Sequence, residues 1–204
     1  MSTKQRQFIK MPYFLDLTSR NLKYLDVLTY VAVKSFDNAN NDCFPSYEAI
    51  AERSGLSRSF IIESINRLQA SNYLSAYKRV GFRAPNKSFP NQYSFMIEKK
   101  EYYFKIPYEI FKLMDLTNYE RAMLLLLRQF SVTLFELYGS INEFANWLGL
   151  TKQTIYKQYL SLVAKGYLDK ARLKSKITKL LKIDWNHANQ LVLDEQYDLN
   201  LMVA

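Results

Sequence analysis

The chain has 204 residues, 49% of them hydrophobic, and a formal net charge of +9 with a sequence pI near 9.4. This length allows two small domains or one mid-sized domain. The charge indicates a polyanionic partner, with an acidic membrane or an acidic protein as the alternatives. The lone cysteine, Cys43, excludes an intrachain disulfide and a cysteine zinc cluster. The longest apolar run, Ala122–Leu127, is too short for a membrane span. We therefore predict a soluble, cytoplasmic protein with no membrane partner.

A short apolar segment with a proline near its end occurs once in each half of the chain. Residues 8–13 have the sequence FIKMPY and residues 103–108 have the sequence YFKIPY, 95 positions later. Proline has no N–H to donate to a strand ladder and favours extended backbone before it. Each segment is therefore predicted to be a short extended entry that ends at its proline.

The next predicted element in each half is a long helix. In the first half it is expected to begin at Thr18 or Ser19 and to end near residues 35–36, before a cluster of turn-forming residues. In the second half, Thr117 and Glu120 form a capping box. The following segment, 122–130, is apolar on almost every side, which is typical of a helix buried on more than one face. We interpret it as an inter-domain or homodimer contact, or as the centre of its own core.

A helix-turn-helix pattern over residues 45–74 is repeated in the second half. Gly55 and Gly149 end the first helix of each motif, and Ser57 and Thr151 cap the second helix directly afterwards. Matching positions are 94 residues apart throughout, as in 46 and 140, 55 and 149, 61 and 155, and 73 and 167. This constant offset indicates a tandem repeat of one unit. The alternative is an ordinary helical hairpin that binds nothing.

The second helix of each motif has an apolar face and a polar face. Arginine can pair with guanine, and asparagine or glutamine with adenine, so the polar faces contain side chains that can read bases. The predicted DNA-binding residues of the first motif are Ser57, Arg58, Ser59, Asn66 and Arg67. Those of the second motif are Thr151, Lys152, Gln153, Tyr156 and Lys157. The alternative is that these residues form a solvated helix face.

Basic segments follow both motifs. Residues 73–80 and 92–97 are strand-like and are joined by a basic loop, so they predict a hairpin wing that contacts phosphates or the minor groove. The predicted DNA-binding residues of this wing are Arg79, Arg83 and Lys87. In the second half, Arg172, Lys174 and Lys176 alternate with uncharged residues, which places them on one face of a strand. A helix over 171–182 is the competing interpretation.

Several short stretches together resemble a known family. Residues 8–97 resemble the helix-turn-helix domain at the front of plasmid and phage replication proteins, and the second half looks like a diverged copy. The residues that carry the resemblance are Cys43–Tyr47, Ile50–Ala51, Gly55–Ser59 and Asn72–Leu74. The resemblance implies a mainly α fold with small β-hairpin wings (α+β). It also implies two tandem winged helix-turn-helix domains, 1–99 and 100–183, followed by a C-terminal tail, 184–204.

These observations predict sequence-specific binding to double-stranded DNA, through two half-sites or direct repeats about one helical turn apart. The resemblance implies a plasmid or phage protein of replication initiation or its control. A transcriptional regulator is one alternative, and a protein-binding adaptor or inhibitor built on winged helices is another. Further expected partners are a second copy, bound through helix 122–130 or the tail, and a replication or regulatory protein. No enzyme, metal site or cofactor is predicted, because the one histidine, His187, has no catalytic or metal-binding companions.

Overall fold

The structure is a computed structural model that describes residues 8–14, 16–38, 42–79, 89–95, 103–132 and 141–168. The first half holds β1 (Phe8–Pro12), α1 (Asp26–Lys34), α2 (Tyr47–Ser54), α3 (Arg58–Ala70), β2 (Leu74–Tyr77) and β3 (Gln92–Phe95). The second half holds β4 (Tyr103–Pro107), the 3-10 helix Tyr108–Lys112, α4 (Asn118–Val132), α5 (Ile141–Leu148) and α6 (Lys152–Ala164). This α-rich fold with small antiparallel sheets agrees with the predicted α+β class.

The helices of the two motifs repeat with the predicted offset. α2 and α5 are 8 residues long, and α3 and α6 are 13 residues long. Every start and end differs by 94 positions between the halves. Both second helices carry the predicted side-chain cap at their N-terminus. The described residues therefore contain two helix pairs of the same length and spacing.

The first helix begins later than predicted. α1 starts at Asp26, whereas the sequence had suggested Thr18 or Ser19. The Asp16 side chain accepts hydrogen bonds from the Thr18 hydroxyl at 2.8 Å and from the Ser19 N–H at 3.1 Å. Such local bonds offer the backbone an alternative to the helix. Asn21, with a φ of 55°, then turns the chain in the left-handed region that a helix cannot include.

The two strands that precede the first helices pair with each other. β1 and β4 form an antiparallel two-stranded sheet in which Lys10 lies opposite Lys105. The strands themselves were expected from the sequence, but their pairing across the two halves was not. A separate antiparallel hairpin joins β2 and β3, as predicted for the segment after the first motif.

α4 lies at the contact between the two halves. Its residues Ala122–Leu127 are all buried, and they belong to the same hydrophobic cluster as Val27–Val33 of α1, which α4 contacts. α4 also contacts α6 of its own half. The described residues therefore agree both with a contact between the halves and with the centre of its own core. The homodimer that was predicted through helix 122–130 or the tail stays a prediction.

Some predictions fall on residues that are not described. These are the basic loop over 81–88, the domain boundary at residue 99, the basic segment after residue 168 and the tail over 184–204. The division into two domains and a tail therefore stays a prediction. Within the described ranges, no helix is long and apolar enough to cross a membrane.

Candidate nucleic-acid interface

The first helix-turn-helix is held in shape by its own caps. The Ser46 hydroxyl accepts a hydrogen bond from the Ala49 N–H at 3.1 Å, which satisfies a donor in the first turn of α2. Gly55 ends α2 with a φ of 72°, where a residue with a side chain would be strained. The Ser57 hydroxyl then accepts from the Phe60 N–H at 3.3 Å. The turn between α2 and α3 is therefore fixed by local hydrogen bonds.

α3 separates its apolar and polar faces as predicted, with one exception. Its inner residues Ile61, Ile65 and Leu68 are buried. Four of the predicted DNA-binding residues are exposed on or beside this helix: Ser57, Arg58, Ser59 and Asn66. The Ser57 and Ser59 hydroxyls are also 3.2 Å apart at its N-terminus. The exposed polar side chains are concentrated in the first turn, where a helix N-terminus favours anionic groups.

Arg67 is the exception, because it points inward rather than to the outer face. Its Nε and Nη2 atoms donate to the two carboxylate oxygens of Asp26, each at 2.8 Å. Asp26 is fully buried, and the Arg67 side chain is 15% exposed. This paired geometry raises the pKa of Arg67, chiefly through the Asp26 hydrogen bonds. Arg67 therefore fastens α3 to α1, and the prediction that it lies on the outer face is wrong.

Arg58 is exposed but already has partners. Its Nε atom lies 2.5 Å from Oε1 of Glu48 on α2, and its guanidinium lies 5.6 Å from the centre of the Tyr47 ring. The pKa of Glu48 is lowered, first of all by the hydrogen bond from Arg58. Both side chains are more than half exposed. The pair can therefore open toward a ligand, because an exposed ion pair is worth little in water.

The second helix-turn-helix repeats the same local geometry. The Thr151 hydroxyl accepts from the Thr154 N–H at 3.2 Å, and Gly149 has a φ of 63°. The inner residues of α6 are buried: Ile155, Tyr159 and Leu162. All five predicted DNA-binding residues of this motif are exposed: Thr151, Lys152, Gln153, Tyr156 and Lys157.

A buried acid anchors each second helix to the first helix of its own half. Glu120 of α4 matches Asp26 of α1 at the repeat offset of 94 residues. One Glu120 oxygen accepts from the Thr117 N–H at 2.7 Å, as Asp26 accepts from the Lys23 N–H at 2.7 Å. This bond confirms the capping box predicted at the start of α4, since the Glu120 N–H also donates to the Thr117 hydroxyl at 3.2 Å.

Glu120 also receives donors from α6 and from the residue after it. The Ser161 hydroxyl donates to Oε1, and Lys165 Nζ lies 2.8 Å from Oε2. Burial alone would raise the pKa of Glu120, but the hydrogen bonds from Lys165, Ser161 and Thr117 outweigh it and lower the pKa to about 2. The carboxylate is therefore ionised in the folded chain at neutral pH. The anchoring roles of Asp26 and Glu120 were not predicted from the sequence. Their partners Arg67 and Ser161 are each 41 positions away along the chain.

The hairpin β2–β3 brings one predicted basic residue beside the first motif. Arg79 is exposed, and its guanidinium lies 4.3 Å from the centre of the Phe44 ring and 5.5 Å from that of Phe89. These cation–ring contacts attract the Arg79 guanidinium, but they do not neutralise its positive charge at the surface. The remaining predicted basic residues lie outside the described part of the chain: Arg83, Lys87, Arg172, Lys174 and Lys176.

Two features of the interface were not predicted from the sequence. Leu160 is 61% exposed on α6, at the position that matches Asn66 on α3. Glu48 faces Arg58, although it belongs to the preceding helix. Within the described ranges, no group of three or more histidine, cysteine or acidic side chains could hold a metal ion.

Comparison with known proteins identifies one part of the chain. Residues 20–74 match the family described as Helix-turn-helix domain. This match spans α1, α2 and α3 and ends at the first residue of β2. No curated protein and no solved structure matches the chain. Residues 20–74 are therefore similar to a helix-turn-helix domain, in agreement with the motif predicted over residues 45–74.

Proposed function

We propose that the chain is a sequence-specific double-stranded DNA-binding protein that reads its site with both α3 and α6. The observation that carries this proposal is the same in both helices: a capped, exposed N-terminal turn presents polar side chains beside a tight glycine turn. In helix-turn-helix proteins, the N-terminal residues of the second helix contact base edges in the major groove. The family match over 20–74 supports this role for α3.

The proposed roles follow from the chemistry of each side chain. Arg58 can release Glu48 and donate two hydrogen bonds to guanine, and Gln153 can pair with adenine in the same way. Lys152 can donate to guanine as Arg58 does. Lys157 and Arg79 suit phosphate oxygens, which position the protein on the duplex. The hydroxyls of Ser57 and Thr151 already cap their helices, so we assign them to shaping the turn.

We further propose two tandem winged units, with the β2–β3 hairpin as the first wing. A role in replication initiation of a plasmid or phage, or in its control, rests on the resemblance of residues 8–97 to such proteins. Transcriptional regulation has equal support, since the same binding chemistry serves both processes. A plasmid-maintenance assay beside a promoter-reporter assay separates them, because only a replication protein is needed to maintain its own origin.

Selection of duplexes from a random pool, followed by gel shifts, tests DNA binding itself. We expect a selected sequence to bind at least roughly a thousandfold more tightly than unrelated duplex at physiological salt. Arg58→Ala and Lys152→Ala should each relax this preference, by about 1–3 kcal/mol for a base-reading side chain. Equal weak affinity for every duplex would contradict the proposal.

A protein-binding adaptor is the second candidate. The observation that favours it is the apolar surface on α6, where Leu160 is 61% exposed and Tyr156 is 45% exposed. An exposed leucine next to a tyrosine is more typical of a protein contact than of base reading. A stoichiometric protein partner, together with no duplex affinity at physiological salt, would favour this candidate over DNA binding.

A further inference from the structure

The sheet between the halves is symmetric in its register. The two strands are matching segments of the repeat, 95 positions apart, and Lys10 lies opposite its own counterpart, Lys105. On either side of this pair, Ile9 faces Ile106 and Met11 faces Phe104. An antiparallel pair whose matching residues face each other has a local twofold axis at its centre. The axis here passes between Lys10 and Lys105.

Side-chain contacts across the sheet obey the same symmetry. Lys10 Nζ lies 4.8 Å from the centre of the Tyr103 ring, and Lys105 Nζ lies 4.0 Å from the centre of the Phe8 ring. Phe8 and Tyr103 are themselves matching residues. In a twofold interface each contact between the halves occurs twice, with the two residues exchanged between the halves. The two cation–ring contacts are related in this way.

The helices continue the symmetry beyond the sheet. α1 and α4, which are matching helices, contact each other. The Tyr108 hydroxyl donates to the Ser35 carbonyl at the end of α1, at 3.1 Å. Its counterpart Tyr13 lies near Arg128 of α4: burial raises the pKa of Tyr13, and the Arg128 charge opposes that shift. Ser35, just after α1, and Arg128, within α4, thus each lie near the entry segment of the other half.

Both glycine turns also contact the opposite half. The Asn118 side chain donates to the Gly55 carbonyl at 2.6 Å, at the start of α4. A Cβ atom at Gly149 would lie 3.3 Å from the Thr18 side chain, in the segment before α1. The Thr18 N–H also donates to the Trp147 carbonyl at 3.2 Å. Each turn between the motif helices thus contacts the other half at or before the start of that half's first helix.

From these contacts we infer that the two motifs are related by a pseudo-twofold axis and that the DNA site is an interrupted inverted repeat with non-identical halves. The inference rests on the proposed function. Two modules related by a twofold axis meet one continuous duplex in opposite directions, as in twofold dimers that bind palindromic operators. Direct repeats would instead require modules related by translation along the duplex.

The two half-sites should differ in sequence because the two helices differ at matching positions. Arg58 corresponds to Lys152, and Ser59 corresponds to Gln153. At a third matching position the two helices carry opposite charges, since Glu63 on α3 corresponds to Lys157 on α6. An arginine that favours guanine and a glutamine that favours adenine select different bases. The inverted symmetry is therefore expected in orientation and spacing rather than in base identity.

The test uses the full chain and the duplex recovered by selection. The recovered half-sites are assembled in three duplexes of equal length: inverted, direct, and one half-site alone. We expect the inverted duplex to bind at least tenfold more tightly than either of the other two. Equal or tighter binding to the direct repeat, or full affinity for a single half-site, would overturn the inference while leaving the proposed function intact.

Variants then assign each half-site to its helix. Arg58→Ala should lower the base preference in one half-site only, and Lys152→Ala should do so only in the half-site of opposite orientation. Loss of preference in the same half-site for both variants would overturn the inference. If no duplex is enriched and all bind equally weakly, the proposed function fails together with the inference that rests on it.

Discussion

α3 and α6 have the same length, caps and buried stripe, but their charges are used differently. On α3, Arg67 is bound to Asp26, Arg58 to Glu48, and Glu63 lies 3.9 Å from Lys23. α6 contains two exposed lysines, Lys152 and Lys157, and no acidic residue. One scaffold thus supports a helix whose charges are largely paired within the fold and another whose positive charges face outward. We expect α6 to supply more of the attraction to phosphates.

The largest expected effect concerns the buried acid of the first half. Asp26→Ala removes the bidentate partner of Arg67 and the acceptor for the Lys23 N–H. Breaking such a buried pair should lower the free energy of unfolding by about 3 kcal/mol. Urea unfolding measures this loss. Glu63→Ala is the matched control, because the Glu63 side chain is 62% exposed and its ion pairs with Lys23 and Arg67 should contribute less than about 1 kcal/mol. Equal losses in the two variants would show that Asp26 does not anchor α3.

The buried acid of the second half predicts a pH dependence. The pKa of Glu120 falls from its ordinary value of 4.5 to about 2 on folding. A group with a lowered folded pKa stabilises the fold above the unfolded value, and this stability is lost as the pH falls toward the folded value. Glu120 should therefore contribute roughly 3 kcal/mol at neutral pH. The contribution should disappear between about pH 4.5 and pH 2.

Glu120→Gln isolates this titration, since the amide keeps the shape but cannot ionise. The difference in unfolding free energy between the natural chain and the variant should shrink steadily as the pH is lowered through that window. A difference that stays constant with pH would contradict the assigned ionisation of Glu120.

A reciprocal charge exchange tests the contrast between α3 and α6 directly. Lys157→Glu places on α6 the charge that Glu63 gives α3 at the matching position, and it should weaken DNA binding roughly tenfold at low salt. Glu63→Lys should instead tighten binding. Filter binding at several salt concentrations measures both effects, with Lys157→Gln as the variant that removes charge without reversing it. If Lys157→Glu binds as tightly as the natural chain, α6 does not face the duplex.

The smallest expected effect concerns the pair between Arg58 and Glu48. Glu48→Gln should release Arg58 for a base contact and tighten binding to the selected site by about two- to fivefold, because an exposed ion pair is worth only about 0.2–1 kcal/mol. Glu52→Gln, on the same helix, makes the same change in net charge. Isothermal titration should therefore show a greater gain in affinity for the selected duplex with Glu48→Gln than with Glu52→Gln. Identical gains would indicate that only the net charge matters.

The sequence predicted those parts of the fold that depend on neighbouring residues. The bounds of α2 and α3 follow from the caps at Ser46 and Ser57 and from the glycine turn at Gly55, which act over three or four positions. The same reasoning located α6 and the start of α4. Local hydrogen bonds at Asp16 were the exception, since they delayed the start of α1.

The sequence did not predict the features that depend on distant partners. The pairing of β1 with β4 joins residues 91 to 99 positions apart, and no local pattern specifies it. In the sequence, Arg67 cannot be distinguished from an exposed basic residue on a polar helix face, because its partner Asp26 is distant along the chain. For the same reason, the outer face of α3 was expected to carry more free positive charge than it does. The candidate site was therefore predicted in position, but its electrostatics depend on contacts between elements.

A hydroxyl-radical footprint of the full chain on its selected duplex tests most directly whether both helices read DNA. We expect two protected regions on one face of the duplex, about 10 base pairs apart or a multiple of that spacing. Arg58→Ala should weaken protection in one region, and Lys152→Ala should weaken it in the other. A single protected region that is insensitive to one of these variants would contradict paired recognition by α3 and α6.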